Sequence, residues 1–270
     1  MQKLRLGFMS QLTTKNILDD IDFAVDNDFT AFEIDLGWIQ NFELKEKVAK
    51  QIKEKSESTD LFLITHTPWY LPTCSVIPEV QDAVFKVISK GILFAEKANS
   101  DRITVHPGFR EMPAPASDKN YDALINILRK IVKFGKEHNV KVGLENLDKN
   151  DYTMCFEVQD LLRVVECVDG LNVTLDVGHT FTTGPPIDFY NKVKDFVIDV
   201  HLHDNDGKTD QHKCIGEGKI DFKSLLKEFK AKNYHGPFIL ELFPYTNILR
   251  GKERFLNFWL NSIKLKSSFS

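Results

Sequence analysis

The sequence predicts an α/β protein folded as a single (β/α)8 TIM barrel, with its active site at the carboxyl ends of the strands. A short apolar run, a polar break and an amphipathic stretch follow one another eight times along the chain. The length of 270 residues suits a fold that commonly takes about 250 residues. No linker or low-complexity tract divides residues 1–270 into two domains.

The eight apolar runs are the predicted strands. They are rich in Val, Ile, Leu and Phe with little polar alternation, which is typical of strands that helices cover. In chain order they span residues 4–8, 31–36, 61–66, 102–106, 141–146, 172–177, 196–203 and 238–243. The first run leads into Met9-Ser10-Gln11-Leu12 and not into a glycine-rich phosphate turn, which argues against an open doubly wound sheet.

The stretches between the runs are the predicted helices, because apolar residues recur on one helical face. The first face is Ile17, Ile21 and Val25. The later faces begin at Val80, Leu124, Leu161, Leu225 and Phe255, and the last of them ends at Ile263. Asp118 and Asp221 each stand before a helix and are predicted N-caps. Alternation of strand and helix through the chain predicts a parallel sheet.

Composition narrows the class of protein. Hydrophobic residues make up 42% of the chain, with 21 Phe, which is enough for a large core. The net charge of −4 and the lack of a basic arm argue against non-specific nucleic-acid binding. No apolar stretch approaches the roughly 18 residues needed to span a bilayer, so we expect a soluble cytoplasmic protein without a membrane partner. Four cysteines without a CxxC pair predict reduced thiols.

Metal-ligating residue types stand at or just past the ends of six consecutive runs. A parallel barrel gathers its strand ends into one ring, so these residues should become neighbours. His, Asp and Glu are the ligands of zinc, manganese and related ions. The nine predicted metal ligands are His66, His106, Glu145, Asp176, His179, His201, Asp210, His212 and Glu241.

The seventh run and the loop after it carry several of these residues. Asp199, His201 and His203 alternate onto one face of the strand, so His201 should point into the mouth of the barrel. His203 is expected to support a ligand or to face solvent, and not to bind the metal itself. Asp210 and His212 are two residues apart and can bind one ion from an extended loop, which His179 could complete.

Four residues are weaker candidates for substrate binding: Trp69, Tyr70, Glu33 and His203. Trp69 and Tyr70 follow His66 and could form a stacking wall for a sugar or a base, or they could pack the loop. Glu33 and Asp35 share one face of the second strand and could reach the mouth, although a structural ion pair is favoured for at least one of them.

Eight short motifs, in order, carry a family resemblance. They are residues 64–68 (Ile-Thr-His-Thr-Pro), 105–108 (Val-His-Pro-Gly), 144–146 (Leu-Glu-Asn), 175–179 (Leu-Asp-Val-Gly-His), 200–204 (Val-His-Leu-His-Asp), 210–212 (Asp-Gln-His), 216–218 (Gly-Glu-Gly) and 240–241 (Leu-Glu). With them the whole chain resembles the xylose isomerase-like TIM-barrel superfamily. That superfamily groups sugar and sugar-phosphate isomerases and epimerases with the endonuclease IV-like enzymes of AP endonuclease family 2.

The two branches imply different chemistry. The isomerase and epimerase branch implies a divalent ion such as Mn, Mg or Co on four ligands, matched by Glu145, Asp176, His201 and Glu241. There the two glutamates, Glu145 and Glu241, are catalytic: one removes a proton next to a carbonyl and the other returns it.

The endonuclease branch implies three zinc ions. By resemblance the first would be held by His66, His106 and Glu145, the second by the four isomerase-type ligands, and the third by His179, Asp210 and His212. Such a cluster would hydrolyse abasic DNA or another phosphate ester. The resemblance therefore implies one to three divalent ions per chain.

Three departures favour a small sugar or sugar-phosphate substrate over DNA. The loop at residues 37–42 has no Arg or Lys, and the stretch between His179 and His201 is compact. The sixth run also ends Asp-Val-Gly-His, where endonucleases of the family usually have Cys before the His. We therefore favour an isomerase or epimerase, with an endonuclease IV-like phosphodiesterase as the alternative. A barrel that only binds a metabolite or partner is disfavoured by the intact set of acids, bases and ligands.

Overall fold

Eight parallel strands form one sheet in the computed structural model, which describes residues 4–11, 16–37, 46–110, 112–113 and 115–262. The strands are β1 (Leu6–Phe8), β2 (Ala31–Asp35), β3 (Phe62–His66), β4 (Arg102–Val105), β5 (Lys141–Glu145), β6 (Leu171–Asp176), β7 (Val197–Leu202) and β8 (Phe238–Leu240). Each lies within or within one residue of a predicted run. The prediction of eight strands is confirmed.

The sheet closes on itself between its first two strands. Its order is β1-β8-β7-β6-β5-β4-β3-β2, so β1 and β2 stand at the two ends. A parallel bridge joins Met9 to Glu33 across this gap, and the Ser10 N–H donates to the Glu33 carbonyl at 2.9 Å. The architecture is a (β/α)8 TIM barrel, as the sequence predicted.

Helices follow the strands around the outside of the barrel. They are α1 (Ile17–Asp26), α2 (Glu46–Thr59), α3 (Pro78–Ala98), α4 (Asp118–Glu137), α5 (Val158–Val165), α6 (Val177–Phe181), α7 (Pro186–Val193), α8 (Phe222–Ala231) and α9 (Tyr245–Asn261). Every predicted apolar face lies on one of them, although Ile263 is outside the described residues. The apolar pattern of the sequence did not predict α2. The two short helices α6 and α7 both lie in the connection from β6 to β7.

One of the two predicted helix caps is wrong. Asp221 caps α8 as expected, because its side chain accepts the Ser224 N–H. Asp118, in contrast, is already the first helical residue of α4. Ser117 is the cap: its backbone is extended, its hydroxyl accepts the Asn120 N–H, and the Asn120 side chain accepts the Ser117 N–H in return.

A small apolar layer inside the barrel supports the polar mouth. Met9, Ala31, Ile64 and Ile239 form a buried cluster separate from the large core between sheet and helices. Residues two apart on a strand share a face, so Glu33, His66 and Glu241 stand directly above Ala31, Ile64 and Ile239. The barrel interior therefore changes from apolar to ionisable within one layer toward the carboxyl ends of the strands.

The rest of the described chain adds two facts. Among these residues no helix has both the length and the apolar character to cross a bilayer. All four cysteines are free thiols, with Cys167 exposed and Cys74, Cys155 and Cys214 buried.

Candidate active site

All nine predicted metal ligands meet at the mouth of the barrel. His66, Glu145 and Asp176 end their strands, His201 lies in β7, and His106 and Glu241 follow β4 and β8; His179 lies in α6, and Asp210 and His212 lie in the loop from β7 to α8. Seven of them are buried, while Asp210 and His212 are partly exposed. The ring of strand ends has become one site, open to solvent on the side of that loop.

Glu145 joins three histidines from three other strands. Its Oε2 lies 3.1 Å from His66 Nε2 and 2.9 Å from His106 Nε2. Its Oε1 lies 3.2 Å from His201 Nδ1. We call His66, His106, Glu145, Asp176, His201 and Glu241 the inner cluster. Glu145 is at its centre because both of its carboxylate oxygens face imidazole nitrogens.

His201 lies between three carboxylates. Its Nδ1 is 2.9 Å from Glu241 Oε1 on the side that also faces Glu145. Its Nε2 is 3.0 Å from Glu33 Oε2, and both side chains are fully buried. Within the described part of the chain no hydrogen-bond donor reaches either Glu33 oxygen in good geometry, and His201 is the basic side chain that lies beside it. Burial, reinforced by Glu33, raises the pKa of nearby Asp199 to about 8, so Asp199 adds no second charge at neutral pH.

Asp176 has one carboxylate oxygen committed to the protein and one left free. The His179 N–H donates to Oδ1 at 2.6 Å. The Asn146 side chain holds the Asp176 backbone, accepting its N–H at 2.9 Å and donating to its carbonyl at 3.0 Å. Oδ2 is buried and has no hydrogen-bond partner among the described residues. Such an oxygen is costly unless a cation or another polar group lies beside it, so Oδ2 is available to bind a cation.

A second group, the outer cluster, is formed by His179, His203, Asp210 and His212. Asp210 Oδ2 lies 3.4 Å from His179 Nε2 and 2.9 Å from His212 Nε2. Asp210 Oδ1 lies 3.3 Å from His203 Nε2. Each of the four residues offers a ligand atom within 4.8 Å of the other three. The sequence predicted three members of this cluster; His203 is the addition.

Asp204 shapes the loop that carries Asp210 and His212. This buried carboxylate accepts four backbone N–H groups, from residues 205 and 220 on Oδ1 and from residues 216 and 218 on Oδ2, at 2.8–3.2 Å. Its own backbone pairs with Lys213 in both directions at 2.8 Å. Gly218 lies so close that a Cβ there would be 2.2 Å from the carboxylate. The loop is therefore fixed from its base.

In three histidines the backbone holds the Nδ1 proton, so that in the neutral form of the ring the lone pair is on Nε2. In each, Nδ1 lies within hydrogen-bond distance of a backbone carbonyl, which fixes the proton there. The pairs are His66 with Thr67 at 2.6 Å, His179 with Asn146 at 2.9 Å, and His212 with Glu241 at 2.9 Å. All three Nε2 atoms point at carboxylates of the mouth, as metal-binding imidazoles do.

The residues fit divalent metal ions. Two ligands bound to one tetrahedral zinc at about 2.1 Å lie about 3.4 Å apart, and the imidazole–carboxylate distances here are 2.9–3.4 Å. Mixed imidazole and carboxylate ligands suit zinc and also manganese. Glu145, Asp176, His201 and Glu241 form one possible ligand set, and the outer cluster forms another.

The electrostatics of the cluster point the same way. Burial raises the pKa of Glu145, but His106 and His201 outweigh it and hold this pKa well below its usual range. Burial also raises the pKa of Glu241, but His201 outweighs this effect and lowers the pKa to about 2. Burial lowers the pKa of His66, whereas the Glu145 carboxylate raises it to about 10. The carboxylates therefore stay ionised at neutral pH, and an incoming cation would displace protons from imidazoles.

The four weaker candidates for substrate binding have different environments in the structure. Trp69 and Tyr70 are 41% and 53% exposed and meet edge to face at 5.6 Å, which leaves their surfaces accessible. Glu33 forms the expected structural ion pair, with His201. The alternative of a solvent-facing His203 is wrong, because the stack against His212 and the backbone of α6 bury it fully. Residues 38–42 of the loop after β2 lie outside the described residues.

Sequence reasoning assigned no role to Asn146 or Asp204. Asn146 directly follows the predicted ligand Glu145, and Asp204 ends the motif at residues 200–204 that contains His201, which was the available signal. Their roles depend on main-chain groups of other elements, namely β6 for Asn146 and the loop at residues 205–220 for Asp204. Such partners cannot be read from a local pattern.

Comparisons with known proteins agree with this geometry. The model of a family described as xylose isomerase-like TIM barrel matches residues 21–258. The uncharacterized protein MJ1311 of Methanocaldococcus jannaschii is 29% identical over 221 residues, which cover 78% of this chain and 74% of that protein. A probable endonuclease 4 of Mycoplasmopsis pulmonis is 26% identical over 267 residues, which cover 90% of this chain and 94% of that protein.

A solved structure is similar over nearly the full chain. It is the crystal structure of a D-tagatose 3-epimerase-like protein, with a TM-score of 0.89 and 26% sequence identity. The match covers 96% of this chain and 98% of the other. Both kinds of protein that the motifs resemble are thus among the relatives.

Proposed function

This chain belongs to the family of xylose isomerase-like TIM barrels, and within that family we propose that it is a divalent-metal-dependent isomerase or epimerase of a sugar or a sugar phosphate. The observation that carries the proposal is the convergence of Glu145 and Glu241 on His201. Their Oε1 atoms lie 3.2 and 2.9 Å from the same nitrogen although they come from β5 and β8. Two carboxylates thus reach one small volume from different sides of the mouth.

Their charge state suits proton transfer. Histidines hold the pKa of Glu145 well below its usual range and that of Glu241 at about 2, so both begin as bases. In the proposed reaction one glutamate takes a proton from the carbon next to the substrate carbonyl. The other takes up a proton from water and delivers it to the opposite face or to the neighbouring carbon, and the first glutamate then loses its proton to water. A divalent ion, when bound, would polarise the substrate oxygens and so make that proton more acidic.

The surrounding residues position the substrate and the ligands. Glu145, Asp176, His201 and Glu241 would hold the ion, with the free Oδ2 of Asp176 as one ligand atom. The exposed rings of Trp69 and Tyr70, a few residues past His66, could cover a sugar face. The similarity to a D-tagatose 3-epimerase-like protein supports this substrate class.

A phosphodiesterase is the second candidate, and one observation favours it. His66, His106 and the outer cluster exceed what proton transfer needs, yet they are brought into the same mouth. More than one metal ion in that mouth would suit attack on a phosphate ester. The similarity to a probable endonuclease 4 supports the same alternative.

Solvent exchange tests the proposal. The purified chain, loaded with Mn or Co, is incubated in heavy water with a panel of ketohexoses, ketopentoses and their phosphates, and deuterium uptake is measured by mass spectrometry. We expect uptake at a carbon beside the carbonyl of at least one sugar. Glu241→Gln should slow it by about 10²–10⁴-fold, the usual contribution of a general base, with an unchanged circular dichroism spectrum.

A matched variant serves as the control. Glu96→Gln changes the same side chain on the outer face of α3, where Glu96 pairs with His138, and should exchange deuterium at the rate of the unmodified chain. Cleavage of an abasic-site duplex, with no uptake into any sugar, would overturn the isomerase proposal in favour of the phosphodiesterase.

A further inference from the structure

His203 stands between the inner and outer clusters. Its Nε2 lies 3.2 Å from Asp176 Oδ1 and 3.3 Å from Asp210 Oδ1. The ring is fully buried, and Nε2 is within reach of both oxygens while it is aligned with neither. One residue thus contacts a predicted ligand from each metal site.

The oxygens that face His203 are the ones not aimed at a metal. Asp210 directs Oδ2 toward His179 and His212, which leaves Oδ1 for His203. Asp176 leaves Oδ2 without a partner, while Oδ1 already accepts the His179 N–H. Each carboxylate therefore has one oxygen available to an ion and the other turned toward the His203 ring.

The ring packing argues against His203 as a fourth ligand of the outer site. The His203 and His212 rings stack with centroids 4.0 Å apart and an interplanar angle of 17°. An imidazole binds a metal through a lone pair in the plane of its ring. Two nearly parallel stacked rings cannot both place one ion in their planes, so only one can bind well. His212 is the better placed, since its Nδ1 faces a carbonyl and its Nε2 faces Asp210 Oδ2.

The backbone of α6 is fitted to this ring. A Cβ at Gly178 would lie 1.9 Å from Cε1 of His203 and 2.3 Å from its Nδ1. Only glycine lets the helix pass this closely. The Gly178–His203 contact therefore fixes where the imidazole lies relative to Asp176, two residues before it.

We infer that His203 is a positioning residue that supports both metal sites at once, because its Nε2 lies 3.2 and 3.3 Å from the non-ligating oxygens of Asp176 and Asp210 and can donate to either of them after a small rotation of the ring. The inference rests on the proposed function for the ion of the inner cluster, and it adds that the outer cluster binds an ion as well. A hydrogen bond of this kind restrains the carboxylate and typically contributes 10–100-fold to metal affinity. A single imidazole between the two carboxylates also links the geometry of one site to that of the other.

Metal competition experiments test the inference. Zinc affinity and the absorption spectrum of bound cobalt are measured against a chromophoric chelator for the full chain, His203→Phe and His203→Asn. Phe keeps a ring against His212 but has no donor, whereas Asn keeps a donor without the ring. We expect His203→Phe to weaken both sites about 10–100-fold and His203→Asn to retain most of the affinity. His138→Phe, on the outer surface, is the control and should bind as the unmodified chain does.

Each other outcome counts against the inference. Unchanged affinity in His203→Phe would overturn it, and so would equal losses in the Phe and Asn variants, since packing alone would then explain the effect. If His203→Phe does not fold, Gly178→Ala displaces the ring while keeping its chemistry, and it must show the same weakening. An unmodified chain that holds no ion at either site would overturn the proposed function and the inference together, whereas ions held normally by all variants would overturn the inference alone.

Discussion

Replacing Glu33 with Gln should weaken metal binding at the inner cluster without touching any ligand. Glu33 lies 3.0 Å from Nε2 of His201, the nitrogen that faces away from Glu145 and Glu241. A carboxylate in this position orients the imidazole and increases the electron density that the opposite nitrogen offers to a cation. Glutamine keeps the shape of the side chain and removes its charge.

The size of the effect follows from the burial of the pair. Partners of this kind contribute 10–100-fold to metal affinity, which corresponds to about 1.4–2.7 kcal/mol. Both side chains are fully buried, so solvent screens their interaction little, and we expect the upper half of this range. The loss should shrink at lower pH. Burial lowers the pKa of His201, but Glu33 is the strongest of the neighbours that raise it, and it therefore also favours the competing proton.

A zinc titration against a chromophoric chelator, at pH 6.5 and pH 8.5, measures this change. The control is Glu96→Gln, because Glu96 also lies 3.0 Å from a histidine, His138, but is 43% exposed. It should change zinc affinity by less than twofold. The reasoning about Glu33 would be refuted if its variant bound zinc within twofold of the unmodified chain, or if its deficit grew as the pH fell.

Three further predictions concern the histidines of the mouth. His212→Ala should remove one ion per chain, as counted by mass spectrometry of the native protein. Sugar turnover should then fall by less than tenfold; a complete loss together with phosphodiesterase activity in the unmodified chain would favour the hydrolase. Zinc affinity should rise between pH 6 and pH 9, measured by calorimetry with proton release, because in the metal-free chain Glu145 raises the pKa of His66 to about 10 and Asp210 that of His212 to about 9, against burial. A zinc affinity that stays constant over this range would contradict the assignment. The stability of the metal-free chain should change in the opposite direction, because the stabilisation from these raised pKa values is complete below pH 6.5 and is lost as the pH rises through 9–10. Its melting temperature should therefore fall over that range.

The fold, and the meeting of the nine candidate residues at one mouth, could be predicted because most of these residues stand at or just past the ends of apolar runs. A parallel barrel brings all such ends together, whatever the sequence between them. The orientation of individual side chains could not be predicted in the same way. Glu33 and Asp35 share one strand face, and only the path of β7 across the barrel decides that Glu33 meets His201. Ser117 and Asp118 are both good caps by type, and backbone geometry selects Ser117.

His203 illustrates a different limit. Strand alternation placed it on the ligand face, which was correct. Its burial, however, depends on a glycine in α6 and on the return of His212 along a loop. These contacts join segments that lie far apart in sequence and have no repeating pattern of their own.

The way in which Asp204 closes its loop bears on how such enzymes diversify. The two ends of the segment at residues 205–212 are joined by main-chain hydrogen bonds between Asp204 and Lys213, and the carboxylate of Asp204 accepts four main-chain N–H groups. The ends of the segment are therefore held without any contribution from the side chains of Asp210 and His212. Asp210 and His212 could therefore be gained or lost together during evolution. Enzymes that descend from one ancestral barrel could then bind different numbers of metal ions.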